Sequence, residues 1–286
     1  MRRLARWLGY GLGTAAILAL LAIAGIWLAS SHIYSRSYTP RPEPLPMLTA
    51  AERAEGPRLA RVLGCVECHG PDLRGKMMFD APNVVKVWSP NLTLIAARAS
   101  DAQLAQAIRQ GVGQDGHSLW IMPSGLYSRL SPREVAALVA AIRQAPRGGT
   151  VQPGIELRPL ARVGIALGKF RSAPATLADF QAREPFYAGR EHEWGRQLSR
   201  KICADCHAPD LTGNQPGFEK VPPDLRLAGG YGAEEFTRLM RTGRPPDGRD
   251  LGLMRVVSEQ GLHALRDDEI AAIHAYLKAR AERMDR

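Results

Sequence analysis

The sequence predicts a mainly α-helical chain in which one membrane-crossing helix precedes two small domains of the same kind. Three observations carry this. Trp7 to Ala29 holds no charged residue, all four cysteines fall into two copies of one five-residue motif, and a segment following the first motif recurs without gaps after the second. A length of 286 residues suits two domains, and 23% charged with 45% hydrophobic residues excludes a wholly disordered or collagen-like chain. The formal charge of +10 invites a nucleic-acid reading. The basic residues are nevertheless spread along the chain and interleaved with acids, so no nucleic-acid partner is expected.

Residues 1–36 read as the anchor. As a helix, Trp7–Ala29 would reach ~35 Å against a hydrocarbon core of ~30 Å. A cleaved signal has an apolar core of only ~7–15 residues and ends at an A-x-A-like site, of which Leu28-Ala29-Ser30-Ser31 is a poor version. An uncleaved signal anchor is therefore expected, and Arg2, Arg3 and Arg6 ahead of it favour a cytoplasmic N-terminus. Gly9-Tyr10-Gly11-Leu12-Gly13 lies inside this segment and follows no strand, so it is no dinucleotide fingerprint. Residues 37–50 carry four prolines and predict an extended stalk that lifts the rest of the chain off the bilayer.

The cysteine motifs are Cys65-Val66-Glu67-Cys68-His69 and Cys203-Ala204-Asp205-Cys206-His207. C-x-x-C-H is the attachment signature for c-type haem. Each thiol adds across a haem vinyl group, two intervening residues match the separation of the vinyls, and the following His takes the iron as proximal ligand. A structural zinc site would want two C-x-x-C knuckles converging on one ion with no His required after each. A thioredoxin-like pair expects a preceding strand and one copy. Here each motif is followed by Pro-Asp-Leu and then Gly75 or Gly213, a turn and loop. Two haem c groups are therefore expected, and because c-type haem is attached outside the cytoplasm, both domains are expected on the periplasmic side.

Leu104–Met122 aligns on Phe236–Met254 at a constant offset of 132, pairing Arg109 with Arg241, Gly111 with Gly243 and Met122 with Met254. Met122 and Met254 follow their histidines by 53 and 47 residues, far enough to wrap a haem and present a thioether to its other face. Met77 and Met78 follow His69 too closely, Met240 has no repeat partner, and His117 faces Arg249 in the alignment. The metal ligands are thus expected to be His69, Met122, His207 and Met254. Amphipathic stretches Ala51–Leu63 and Arg190–Ile202 precede the motifs, with Gly56 and Gly195 placed for close helix crossings. Capped helices follow the methionines at Ser131-Pro132-Arg133-Glu134 and Asp267-Asp268-Glu269.

These features resemble the class I c-type cytochromes over Ala51 to about Gln144 and Arg190 to Ala281. In that family a proline carbonyl accepts the Nδ1 hydrogen of the proximal His, a role the resemblance assigns to Pro90 and Pro223. Ala141 stands where the second domain has Tyr276, which predicts a looser helix crossing in the first. The fold expected is thus an N-terminal transmembrane helix (1–36), a Pro-rich stalk (37–50), class I cytochrome c domains at 51–145 and 190–286, and a segment at 146–189 whose aromatics predict packing across both.

The function expected is a single-pass, dihaem cytochrome c of the bacterial inner membrane that relays single electrons without catalysing a reaction. Its partners would be the lipid bilayer and redox proteins: a membrane dehydrogenase, an oxidase or a soluble cytochrome. The rival is a dihaem cytochrome c peroxidase, which needs one haem with an open sixth site, against which two aligned methionines argue.

Overall fold

The computed structural model describes residues 2–41, 43–214 and 220–284. Helix α1 spans Arg2–Tyr34, so it continues past the uncharged stretch, and its end is docked. The Arg162 guanidinium lies 4.7 Å from the Trp27 ring centroid and donates to the hydroxyls of Ser30 and Ser31. Tyr34 stacks on Trp120, which meets Phe170 edge-on. The segment after α1 is not the free stalk that its prolines predict. Prolines at alternate positions leave the intervening N–H groups free to bond, and Tyr38 donates to Gly116 and Arg41 to the Gln110 side chain. Glu43 pairs with Arg109, and Leu45 packs on the core, so this segment is a strap along the first domain.

The first domain opens with α2 (Ala50–Ala54), α3 (Gly56–Val62) and α4 (Cys65–His69). The single amphipathic stretch expected here is broken at Glu55 because Pro57, lacking an N–H, restarts the helix. Strands β1 (Met77–Ala81) and β2 (Val85–Trp88) form an antiparallel hairpin, followed by α5 (Leu92–Ala96), α6 (Asp101–Gln110), α7 (Ser124–Tyr127) and α8 (Pro132–Gln144). The Ser131–Glu134 capping box forms as expected. Asn91 is buried, and its amide donates to the carbonyls of Gly148 and Thr150, a structural knot between the start of α5 and that backbone.

The intervening segment is ordered and spans both domains. Strand β3 (Ile155–Leu157) pairs with β2 to complete a three-stranded antiparallel sheet. Helix α9 (Pro159–Ala166) packs on α1, and α10 (Ala173–Ala182) packs on α6 and α7. Glu184 then pairs with Arg129 of the first domain and with Arg196 and Arg200 of the second.

The second domain comprises α11 (Glu193–Cys203), α12 (Ala233–Thr242), α13 (Leu253–Gln260) and α14 (Asp267–Met284), with a 3₁₀ turn at Leu225–Gly230. The repeat is legible in the packing, for α3 crosses α8 at Gly56 and α11 crosses α14 at Gly195. A Cβ on Gly56 would lie 3.1 Å from the Ala137 carbonyl carbon and one on Gly195 2.7 Å from that of Ala272, so the first crossing is the looser by a small margin. One apolar core runs through both domains, from Ala60, Leu104 and Leu138 to Phe236, Ile273 and Tyr276. Arg58–Glu269, Arg266–Glu55 and Lys201–Glu134 ion pairs rim the junction.

Candidate functional site

Each motif is a turn of helix followed by a tight loop that returns to a proline. In the first, Gly64 (φ 75°) breaks α3 from α4, which carries Cys65, Cys68 and His69 on one turn. In the second, Cys203 ends α11 and the chain continues through Cys206 and His207. The loop geometry is then the same in both. Leu73 (φ 58°) and Leu211 (φ 65°) adopt the left-handed region, and their carbonyls accept from Leu92 and Leu225. The N–H groups of Gly75 and Gly213 donate back to the carbonyls of His69 and His207, at 2.7 and 2.9 Å.

These glycines decide where the prolines sit. A Cβ on Gly75 would come 2.8 Å from the Pro90 carbonyl oxygen, and one on Gly213 2.6 Å from the Asp224 nitrogen, distances that real side chains do not tolerate. With hydrogen in that place, the proline carbonyls reach the histidines: His69 Nδ1 is 3.0 Å from the Pro90 oxygen and His207 Nδ1 2.8 Å from the Pro223 oxygen. A carbonyl only accepts, so Nδ1 carries the proton in both rings and Nε2 keeps its lone pair. Burial depresses both histidine pKa values, opposed by these bonds and, at His207, by Asp224, and both rings stay neutral.

The four thiols are free. Burial pushes Cys65, Cys203 and Cys206 up to about 12 and raises Cys68 as well, so all are neutral thiols at physiological pH. Redox-exchange cysteines instead have lowered pKa values. A neutral thiol pair two residues apart, next to an imidazole with a free Nε2, has the donor set that covalent haem requires. The residues therefore fit haem c at both motifs.

The two motifs also face each other. Beyond burial, the charge of Asp205 adds to the upward push on Cys68, and that of Glu67 to the push on Cys206. Burial raises the Glu67 carboxyl, and Gly261 of the second domain leaves room for it. Met122 precedes α7 and Met254 lies in the first turn of α13; both are half-buried against the same core as Cys65 and Cys203. Neither hydrogen-bonds to His69 or His207 among the described residues. Of the competing methionines, Met240 is buried in the core, Met77 is exposed and Met78 packs on the sheet, while His117 is exposed and pairs with Ser37.

Two contributors escape a sequence reading. The Ser89 hydroxyl donates to the Cys68 carbonyl at 2.6 Å and accepts from Lys76 N–H, pinning the first motif to β2; only the neighbouring Pro90 signals it. Arg280, fully buried on α14, pairs with Asp224 at 2.7 Å and so steadies the Pro223 segment from a distance of 56 residues.

Comparison with known proteins accords with the geometry of the second motif. Residues 193–281 match the cytochrome c family. They form a cytochrome c domain, and such a domain carries covalently attached haem c. The chain is also similar to the fructose dehydrogenase cytochrome subunit of Gluconobacter japonicus, 26% identical over 259 residues that cover 79% of this chain and 52% of that one. The alcohol dehydrogenase (quinone) cytochrome c subunit of Gluconacetobacter polyoxogenes is 25% identical over 258 residues, with 79% and 55% covered. The gluconate 2-dehydrogenase cytochrome c subunit of Pantoea cypripedii is 26% identical over 266 residues, with 78% and 58% covered. The chain thus spans a little over half the length of these relatives, which are cytochrome subunits of dehydrogenases and not their catalytic subunits.

Proposed function

We propose that the chain is a dihaem, membrane-anchored c-type cytochrome that relays single electrons on the periplasmic side of a bacterial inner membrane, as a subunit or partner of a respiratory dehydrogenase. The observation that carries this reading is the duplication of the histidine clamp: two C-x-x-C-H turns, each with Nδ1 held by a proline carbonyl across a glycine, facing each other over one core. The relatives, named as dehydrogenase cytochrome subunits, support the choice of partner. The apolar length of Arg6–Tyr34 supports the anchor.

In this reading Cys65, Cys68, Cys203 and Cys206 would hold two haems by thioethers, and His69, His207, Met122 and Met254 would supply the iron ligands. Haem iron, when bound, supplies a one-electron ferric–ferrous couple. The rest is done by the chain. Pro90 and Pro223 fix each imidazole's tautomer and orientation, Gly75 and Gly213 let those carbonyls approach, and the shared core holds the two motifs at a fixed separation. With His and Met both bound to each iron, no protein-free position would be left for a substrate.

The purified chain should carry two haems, and Met122→Ala and Met254→Ala should each lower the midpoint potential of one haem while both remain covalently attached, because a thioether ligand stabilises ferrous iron. A variant whose redox titration matches the parent's would remove that methionine from the ligand set. A single haem per chain, or a high-spin haem that turns over hydrogen peroxide, would overturn the relay.

A further inference from the structure

The exit of the anchor helix is clasped by α9, and this contact has a defined depth. Centred in a hydrocarbon core of ~30 Å and rising ~1.5 Å per residue, Trp7–Ala29 brings Trp27 to within ~2 Å of the outer edge and carries Ser30 and Ser31 into the headgroups. Arg162 touches all three of these residues. Further along α9, Ile165 and Ala166 share a cavity with Ile33 and Arg36, so α9 runs in the same sense as α1 and its N-terminal end points back toward the bilayer. Leu160, two residues before Arg162, therefore lies ~3 Å deeper than Arg162, level with the hydrocarbon edge.

Helix α9 has three faces. Ala161 and Ile165 are buried, Ala161 against the sheet, and Arg162 with Ala166 turns to α1. The third carries Leu160, 57% exposed, at the start of the helix and leads to Leu167, 68% exposed, at its C-cap, with Val163 half-buried between them. At its deep end the Leu160 N–H donates to Asn83 in the β1–β2 turn, whose Val84 is also exposed. Arg162 has no carboxylate partner among the described residues, and its aliphatic stem with a charged head at a Trp ring suits a headgroup boundary.

We propose that the N-terminal end of α9, which presents Leu160, together with Val84 of the β1–β2 turn, is a lipid-binding foot at the outer edge of the bilayer beside α1. It rests on the membrane-anchored reading and adds that the first domain is seated on the membrane instead of suspended above it. Leu160 and Val84 take the acyl-chain boundary, Arg162 takes a lipid phosphate, and Leu167, about 10 Å higher along α9, stands clear of the hydrocarbon.

The test uses the haem-loaded full chain in vesicles of phosphatidylcholine and phosphatidylglycerol, with an environment-sensitive fluorophore on single added cysteines: Leu20→Cys in the anchor, Leu160→Cys, Leu167→Cys, and Glu282→Cys on α14. The expected result is blue-shifted emission and quenching by nitroxide-labelled lipid in the order 20, 160, 167, 282, with quenching by aqueous iodide in the reverse order. If position 160 behaves like 282 while 20 keeps its lipid signature, the anchor stands and the foot is refuted, leaving that surface for a protein partner. If position 20 also behaves like 282, the anchored reading fails and the foot falls with it.

Discussion

Replacing Gly195 by alanine tests the helix crossing on which the second motif is built. The new Cβ would fall 2.7 Å from the Ala272 carbonyl carbon and 2.8 Å from Tyr276 Cβ, and inside contact of the Ala272 oxygen. Ordinary carbon–carbon contact begins near ~3.5 Å, so α11 and α14 must part by about 1 Å, and the obstructing atoms are largely backbone and cannot rotate away. Overpacking of this kind costs ~1–3 kcal/mol, while removing a helix glycine returns about 1 kcal/mol, and the immovable neighbours place the cost at the upper end. The net expectation is a loss of ~1–2 kcal/mol, a melting point lower by roughly 4–8 °C per kcal/mol for a domain of this size. Gly164→Ala in α9 is the matched control. Its Cβ would meet Phe170 Cβ at 3.4 Å, an ordinary contact, so the same chemical change should raise stability by up to ~1 kcal/mol. Thermal unfolding of the haem-loaded chain, followed by far-ultraviolet circular dichroism, reads both. A Gly195→Ala protein that melts at or above the parent would refute the crossing.

Arg58→Ala should cost about 1–2 kcal/mol in the same assay, since it removes the two-pronged partner of Glu269, only 5% exposed, and leaves Arg266 as its remaining cation; a loss under ~0.5 kcal/mol would mean the domains are not joined through this pair. Asn91→Ala removes an N-cap and two bonds to the 148–150 backbone, for a loss of ~2–3 kcal/mol with faster amide exchange around residues 148–152; unchanged exchange there would rule out the knot. Burial would raise Glu134, but its bonds with Lys201 and Ser131 outweigh this and its folded pKa lies below the unfolded value of about 4.3. Its contribution is therefore complete above about pH 5 and lost as pH falls through the folded value. Unfolding midpoints of the parent and Glu134→Gln, which keeps the capping geometry, should differ at pH 7 and converge as pH falls through the folded value. A gap independent of pH would remove the ion pair as the cause.

The parts of this molecule that a sequence reveals are those written in local chemistry. Cys65-x-x-Cys68-His69 and its copy state their spacing outright, Gly56 and Gly195 mark helix crossings because no other residue fits there, and Ser131-x-x-Glu134 spells a cap. What stayed hidden depends on partners distant in the chain. Val85 and Val87 alternate as a strand should, yet their second neighbour is Ile155–Leu157, some 70 residues away, so the run reads as a loop until the sheet closes. The strap at 37–50 misleads for a related reason. Proline content describes backbone stiffness, whereas docking is decided by Gln110 and Arg109 on α6. Arg280 likewise looks like a surface residue of a terminal helix until Asp224 and the Asp210 carbonyl enclose it.

The junction between the domains carries the functional argument furthest. Two independent cytochrome modules joined by a linker would need only polar surfaces where they meet, and their relative position would fluctuate. Here a continuous apolar core runs from Leu138 to Ile273, ion pairs close its rim, and the ordered 146–189 segment binds both sides through Glu184. An electron relay requires a separation between its centres that does not drift, since transfer slows steeply with distance. A pair of domains that act in turn on different partners would require the opposite. The packing observed is that of the first kind, and on the dihaem relay proposed above it gives Arg58, Glu134 and Lys201 a role beyond stability: loosening any of them should slow electron transfer between the two haems before it releases either one.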